Sequence, residues 1–368
     1  MYKRLSAVLL LLLVLLLTGC NSDERILEKL GMVQTASYDL AENDRLKTVY
    51  SVPVIDPESS ERRQLLKAVT DSLKEARVLL SKQIDLRLVS GQLRTVLFGL
   101  NLAKEGLGDH IDTLLRDPSI ALGVQVAIVD GEAGELLSKS FKSNKDTGTF
   151  VNHLLEKESS SNIIPPTTLY AFTRDYHDDG IDPIVPIVKD QGDRAGISGI
   201  AFFQDGRFVM KIPSKDGIIF ALLRGDIKQG ELSINLGERN GRKVRVMFSS
   251  MLNKRKVSVQ HLGDNRFKFI IADSIQGSVL EYTGHEDLSQ SKKRHELERD
   301  VAEYIRGKAQ EMVKKLQQNN VDSIGIGQYV RNSLTYKAWK SLDWSKVYPG
   351  VEVECRIKVT IKDYGKYM

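Results

Sequence analysis

The chemically distinctive stretch of this 368-residue chain is a cysteine that follows a short apolar segment near the N-terminus. Lys3 and Arg4 give a positive start, residues 7–17 are apolar at all 11 positions, and Thr18-Gly19-Cys20 come next. This length is typical of the hydrophobic part of a signal peptide, whereas a membrane-spanning helix needs about 20 apolar residues. The sequence therefore predicts a signal peptide over residues 1–19.

Leu17, Gly19 and Cys20 resemble the lipobox of bacterial lipoproteins, Leu-x-Gly-Cys. In such proteins the cysteine sulfur receives a diacylglyceryl group, and the cut behind the glycine leaves the cysteine as an N-acylated terminus. Several acyl chains, such as palmitate, hold a protein firmly, because each buried methylene contributes about 0.8 kcal/mol. The resemblance implies lipidation at Cys20 and a body tethered to the outer face of a membrane. An uncleaved anchor and an ordinary signal peptide are the alternatives.

Composition indicates a folded body whose location is not decided by charge. Hydrophobic residues make up 41% and charged residues 27% of the chain, as in ordinary globular domains. The net charge of +5 falls to +3 without Lys3 and Arg4, and basic residues are spread among acidic ones, which argues against nucleic-acid binding. Cys355 is the second of two cysteines, so acylation of Cys20 excludes an intrachain disulfide. Cys355 alternates with exposed positions and is expected in the core.

The usual catalytic and cofactor-binding patterns are missing from the sequence. Gly196-Ile197-Ser198-Gly199 lacks the spacing of a nucleophile elbow, and Gly325-Ile326-Gly327 lacks the third glycine of a dinucleotide fingerprint. Residues 175–180 begin like a calcium loop, but Pro186 stands where a bidentate Glu is needed. We therefore expect a solvated acidic loop there, no enzyme activity, and no catalytic, cofactor or metal-binding residue.

Hydrophobic periodicity predicts an α+β protein whose two halves differ. In residues 20–192, a hairpin of strands 32–40 and 46–55 precedes alternating helices and strands, which predicts a mixed α/β domain with helices on at least one face of the sheet. Residues 193–368 form a second domain, with a possible split near 285. There Asp205-Gly206, Asn240-Gly241 and residues 263–265 predict three hairpins and a largely antiparallel sheet.

The second half also contains a long helix and a long final strand. Residues 290–318 carry apolar side chains at spacings of three and four, which predicts a helix packed on the sheet. Residues 351–361 alternate strictly between apolar and polar, which predicts a strand with one buried face. Lys293, Glu296, Asp300 and Lys308 lie off the apolar stripe of the helix and are candidate interaction residues. The aromatic residues between 336 and 348 are expected to cap the sheet, with a binding surface as the alternative.

With these landmarks placed, the chain resembles the Ger(x)C family, the lipoprotein C-subunits of nutrient germinant receptors in endospore-forming bacteria. The resemblance extends from residues 26–33, through the segments 102–117 and 131–137, to the C-terminal block. That block is the most specific part, and its matching residues are Asp322, Gly325, Gly327, Trp339, Trp344 and Tyr348-Pro349. Residues 21–24 and 98–101 depart from the family pattern.

The resemblance implies a non-catalytic subunit that acts in spore germination beside polytopic A- and B-type membrane subunits. It also implies a location on the outer side of the spore inner membrane, with contact to the bilayer through Cys20. The alternative from another class is an extracytoplasmic solute-binding lipoprotein of a transporter. That class needs two similar lobes around a cleft, whereas the sequence predicts unlike halves.

Overall fold

The computed structural model describes residues 29–54, 58–59, 61–141, 146–225, 227–239 and 241–365. The predicted signal peptide and Cys20 lie outside these ranges. The strands are β1 Leu30–Met32, β2 Thr35–Leu40, β3 Leu46–Pro53, β4 Arg63–Thr70, β5 Arg87–Val89, β6 Thr95–Gly99, β7 Gln125–Val129, β8 Ile184–Asp190, β9 Ala195–Gln204, β10 Arg207–Pro213, β11 Leu232–Arg239, β12 Arg242–Gly263, β13 Arg266–Tyr282 and β14 Glu352–Asp363. The helices are α1 Leu73–Leu80, α2 Leu100–Glu105, α3 Gly108–Leu115, α4 Ala133–Ser138, α5 Thr147–Ser160, α6 Leu169–His177, α7 Gly217–Arg224, α8 Ser291–Gln318, α9 Ile326–Ser333, α10 Tyr336–Lys340 and α11 Trp344–Val347.

The first half is built on an eight-stranded sheet in the order β10-β9-β8-β7-β6-β2-β3-β4. The central strands β2, β6, β7 and β8 pair in parallel, and both flanks pair antiparallel. β6 is buried at all five residues, which follows from its unbroken Thr-Val-Leu-Phe-Gly run, because a central strand covered on both faces needs side chains that avoid water. The predicted mixed α/β domain is confirmed.

Helices cover both faces of this sheet and divide the interior into two cores. Val96, Phe98 and Ile128 pack with apolar residues of α1, α2, α3 and α6. Leu97 and Val129, which point the other way, pack with α4, α5 and α7. The second core continues without interruption into the C-terminal half, so the two halves share one apolar interior.

The C-terminal half contains a four-stranded sheet in the order β11-β12-β13-β14, antiparallel except for the parallel pair of β13 and β14. Between Val353 and Ile361 of β14 the odd-numbered residues are buried or half-buried, with Cys355 at 4% exposure, as the alternating sequence predicts. The α8 side chains of Leu297, Val301 and Ile305 are buried against this sheet. The predicted long helix and long final strand are confirmed, and Gln290 directly precedes the helix.

Side chains of α8 also cover the outer edge of β14. The amide of Gln310 donates to the Val353 carbonyl at 2.8 Å, and the amide of Gln317 donates to the Val351 carbonyl at 2.8 Å. Glu298 accepts from the Ile361 backbone N–H, also at 2.8 Å. Unpaired groups on an edge strand are a template for unwanted pairing, so α8 both buries one face of the sheet and occupies its edge.

One expectation about the hairpins is wrong. The hairpin at Asp205-Gly206 joins β9 to β10 of the eight-stranded sheet and not strands of the C-terminal sheet. The local turn signal is correct, but the choice of sheet depends on the long-range pairing of β8 with β9. The domain boundary between residues 192 and 193 remains a prediction. It falls in the turn between these two strands, and the first sheet continues to Pro213.

None of the helices in the described ranges is both long enough and apolar enough to cross a membrane.

Candidate functional site

The most unusual polar group in the structure is the buried carboxylate of Asp322, which follows α8. Its Oδ1 accepts backbone N–H groups from Gly325 at 3.1 Å and Ile326 at 2.8 Å, and its Oδ2 accepts that of Gly327 at 2.7 Å. The indole N–H of Trp344 donates to the same Oδ2 at 3.1 Å. The first N–H groups of a helix have no partner within the helix. Asp322 therefore anchors the start of α9 and fixes α11 beside it.

The loop that contains Asp322 lies against a segment of the first half, close enough for hydrogen bonds to form between backbone groups. The Asp322 N–H donates to the carboxylate of Asp182 at 2.6 Å, and the Asp182 N–H donates to the Asp322 carbonyl at 3.1 Å. The Gln328 N–H donates to the Gly180 carbonyl at 3.0 Å. A Cβ at Gly180 would lie 2.5 Å from the Gln328 nitrogen, so only glycine permits this approach. We call residues 178–182 and 320–328 together the interdomain junction.

Ion pairs also stabilise the junction. Because of them, the prediction of a solvated acidic loop is wrong. Asp178 accepts both terminal nitrogens of Arg331, at 2.8 and 3.2 Å. Asp179 pairs with Lys340 at 2.6 Å. Asp175 lies in α6, is 3% exposed, and pairs with Arg224 of α7 at 2.5 Å. In the sequence, residues 175–180 look like an isolated acidic loop, because the partners of these aspartates lie far away in the chain.

The aromatic residues of the C-terminal segment form part of the same structure. The ring of Trp344 lies 5.7 Å from that of Trp339 and 5.9 Å from that of Tyr348. The Tyr348 hydroxyl donates to the Val321 carbonyl at 2.8 Å. Tyr336 is 78% exposed and stands apart. Trp339, Trp344 and Tyr348 therefore close over the junction instead of forming an open binding surface.

Burial governs the charge state of the two central carboxyls. Desolvation raises the pKa of Asp322 to about 8, although its N–H donors favour the charged form and the neighbouring Asp182 disfavours it. Desolvation likewise raises the pKa of Asp182 to about 7, with help from the charges of Asp205 and Asp175. At Asp178 burial opposes ionisation, but the hydrogen bonds from Arg331, the Gly180 N–H and Gln328 together outweigh it and lower the pKa. The junction thus holds two carboxylates whose pKa is lowered, Asp178 and Asp179, beside two whose pKa is raised to near neutrality.

A cleft of about 260 Å³ opens beside the junction, with Asp182, Asn320 and Asp322 in its wall. Perturbed carboxyls in a cleft are a common mark of a functional site. Here, however, the carboxylate of Asp322 already accepts hydrogen bonds from backbone and indole N–H groups, so its role is structural. Within the described ranges, His, Cys, Asp and Glu side chains form no group of three that could hold a metal ion.

A second buried carboxylate performs the same task in the first half. Asp39 of β2 is 2% exposed and accepts the backbone N–H groups of Ala133 and Gly134, each at 2.7 Å, at the start of α4. A Cβ at Gly99 would lie 2.0 Å from the Asp39 Oδ1. The segments 98–101 and 131–133, singled out in the sequence, therefore meet at this carboxylate.

The sequence-predicted interaction residues are distributed along α8. Lys293 forms an ion pair with Glu296 at 3.1 Å, and Lys308 forms one with Glu311 at 2.9 Å. Lys293, Glu296, Asp300 and Lys308 are all partly exposed. Fifteen residues of helix separate the first from the last of them, about 22 Å at 1.5 Å per residue. They form an extended stripe and not a single cluster.

Comparisons with known proteins agree with this architecture. The family description "Spore germination protein N-terminal domain" matches residues 23–190, and "Spore germination B3/ GerAC like, C-terminal" matches residues 198–365. Spore germination protein GerQC of Bacillus cereus is 25% identical over 358 residues, which cover 96% of this chain and 97% of that protein. Putative spore germination protein YfkR of Bacillus subtilis (strain 168) is 21% identical over 379 residues, with coverages of 97% and 96%.

The fold also matches a solved structure, the crystal structure of the GerBC protein. The TM-score is 0.59 at 14% identity, and the match covers 89% of this chain and 96% of that one. The family matches over both halves define the class as a spore germination receptor subunit, and the shared two-part α+β architecture agrees with it. The chain belongs to the GerAC-like, or Ger(x)C, family of germinant-receptor C-subunits.

Proposed function

We propose that this chain is the lipid-anchored, non-catalytic subunit of a nutrient germinant receptor and that it works by contact with polytopic A- and B-type subunits. The observation that carries the proposal is the family match over both halves, 23–190 and 198–365. The Leu17-Thr18-Gly19-Cys20 order supplies the anchor. Together they support a location on the outer face of the spore inner membrane.

The chemistry of the junction supports a role without turnover. General acid–base catalysis needs a carboxyl that can reach a substrate proton. Asp322 has its oxygens filled by four N–H donors, and Asp182 accepts the Asp322 N–H. Both carboxyls thus hold the two halves together, which suits a rigid adaptor.

The anchor is tested by replacing Cys20 with Ala in the producing organism. We expect loss of fatty-acid labelling and retention of the uncleaved precursor, because Cys20 is the thiol at the predicted cut. Cys355→Ala is the matched control, since Cys355 is 4% exposed and should carry no lipid. Labelling that persists in the Cys20→Ala protein would remove the basis of the proposal.

The contact hypothesis is tested on α8 by exchanging charges within its ion pairs. A variant with Lys293→Glu, Glu296→Lys, Lys308→Glu and Glu311→Lys keeps both intrahelical pairs but inverts the pattern that a partner meets. Because partly exposed pairs contribute little, the free energy of unfolding should change by no more than about 1 kcal/mol. Co-purification of the A- and B-type subunits and the germination response should both decrease.

The control for this variant is the exchange Asp112→Arg with Arg116→Asp, an exposed ion pair at the C-terminal end of α3 with a 2.7 Å contact. It should leave co-purification unchanged. If the α8 variant also co-purifies normally, the stripe on α8 is not a contact surface. One-to-one binding of an amino acid or sugar by the isolated chain in calorimetry would instead favour a solute-binding function.

A further inference from the structure

The C-terminal sheet has one face that α8 and α9 leave open. Between Val353 and Ile361 of β14 the odd-numbered residues point toward the helices, and the even-numbered ones point away. On the open side, Lys254 and Lys256 of β12 and Arg356 and Lys358 of β14 are all exposed. Four cations therefore emerge from the two strands that flank β13.

The strand register places these four cations on two adjacent rungs. Lys256 pairs with Ala272 of β13, which pairs with Arg356, and Lys254 pairs with Ser274, which pairs with Lys358. Strand spacing puts the cations about 10 Å apart across β13 and the rungs about 7 Å apart along it. The two central side chains, Ala272 and Ser274, are short. The result is a flat basic patch with open space at its centre.

Most of this charge is not neutralised within the protein. Arg356 donates to Glu354 at 2.6 Å, and Glu354 also pairs with Lys268 at 2.8 Å. For Lys254, Lys256 and Lys358, no carboxylate of the described ranges lies within ion-pairing distance. Cations on adjacent rungs of one strand, about 7 Å apart, lie within the Debye length of about 8 Å at physiological ionic strength and therefore repel each other. A facing anionic surface would therefore relieve mutual repulsion.

An exposed leucine on the same face indicates the kind of anionic surface. Leu252 is 50% exposed, two residues from Lys254 on β12, and its strand partner Gln276 lies two residues from Ser274 on β13. Basic side chains combined with exposed apolar ones are typical of protein surfaces that lie in the headgroup region of a membrane. Lysine suits this position, because its ammonium reaches the phosphates while its stem stays in apolar contact.

We infer that the open face of the C-terminal sheet, centred on Lys254, Lys256 and Lys358, binds the anionic phospholipid surface of the membrane. The inference rests on the proposed membrane location. If Cys20 is acylated, the lipid fixes the point at which the chain is attached to the bilayer, but not which face of the protein is turned toward it. The basic patch fixes this orientation by turning this sheet toward the bilayer, which leaves the opposite side, with α8, for protein contacts.

The test uses the unlipidated chain from Asn21 onward, which contains every residue of the described fold. Binding is measured by co-sedimentation with phosphatidylcholine vesicles, with and without phosphatidylglycerol. We expect binding to the anionic vesicles alone, and weaker binding as salt is added. The variant Lys254→Gln, Lys256→Gln, Lys358→Gln should partition about 100-fold less, because each lysine near an anionic surface contributes about fivefold.

The matched control replaces three exposed lysines of the first half, Lys67→Gln, Lys82→Gln and Lys104→Gln, and changes net charge equally. It should bind within about threefold of the unaltered chain, and both variants should retain the parent melting curve. Equal binding by the two variants, or equal binding to neutral vesicles, would overturn the inference. So would a patch variant that binds vesicles normally but loses the receptor partners, which would assign the face to a protein. Because the chain carries no lipid, none of these outcomes depends on Cys20.

Discussion

The two buried carboxylates, Asp39 and Asp322, use one local device in different settings. Each lies in the core, and each accepts backbone N–H groups at the start of a helix that follows a glycine-containing turn. Asp39 joins a strand to a helix of the same domain. Asp322 also receives the Trp344 indole and donates its own N–H to Asp182 of the other half.

Asp39 therefore fixes the start of one helix, whereas Asp322 also fixes the position of one half of the protein relative to the other. Removal of Asp39 would free the start of α4, whose residues Ala133 and Leu136 remain packed in the core. Removal of Asp322 would free α9 and α11 and disturb the contact with Asp182. The residues that most specifically mark the family in this sequence therefore hold the two halves in a fixed relation. For a subunit proposed to act by contact, that fixed relation is the functional property.

The largest expected effect follows from the number of donors at each carboxylate. Asp322→Ala leaves three backbone N–H groups and one indole N–H without their acceptor, and we expect a loss of about 4 kcal/mol of unfolding free energy. Asp39→Ala leaves two N–H groups, and we expect about 2 kcal/mol. Urea denaturation of the purified variants measures both losses.

The exposed Asp193 supplies the control, and Asp193→Ala should change the free energy by no more than about 0.5 kcal/mol. Trp344 fluorescence offers a second readout, because the Asp322 variant should alter its emission and the Asp39 variant should not. If Asp322→Ala and Asp39→Ala lose the same unfolding free energy, the proposed difference between the two carboxylates is wrong.

A smaller expected effect is the pH dependence of the unfolding free energy, which arises from Asp182 and Asp322 at the interdomain junction. The pKa of Asp182 is raised to about 7 and that of Asp322 to about 8, so the folded protein binds protons that the unfolded chain has released above about pH 4. Since the folded state holds more protons, unfolding free energy falls as pH rises through this window and levels off above about pH 8. We expect a decrease on the order of 1 kcal/mol or more between pH 5 and pH 8.

Asp182→Asn separates this titration from the hydrogen bond. The amide oxygen of Asn can still accept the Asp322 N–H but carries no charge, so the variant should be more stable than the parent at pH 8, by about 1 kcal/mol, and should show a flatter pH profile. Asp193→Asn should leave the profile unchanged. A profile for Asp182→Asn that is as steep as the parent's would mean that other groups control the pH dependence.

Much of the secondary structure is predictable from the sequence because it depends on local periodicity. The spacing of Leu297, Val301 and Ile305 predicts α8, and the alternation around Cys355 predicts β14 with its buried face. Helix α7 is missed. Its Gly-Ile-Ile-Phe-Ala-Leu-Leu-Arg sequence is apolar on nearly all sides, so it has no polar face to mark a helical period.

The sequence by itself determined the strongly periodic elements such as α8 and β14, the two unlike halves, the buried position of Cys355 and the family. Each of these features follows from residue patterns that lie within short stretches of the sequence. Tertiary structure decided that Asp178 and Asp179 pair with Arg331 and Lys340 and that Gly180 contacts Gln328. It also decided that lysines more than 100 positions apart, such as Lys254 and Lys358, share one patch. Such pairings depend on the strand order and on how the halves pack, and no local pattern of charge or hydrophobicity encodes which distant residue completes them.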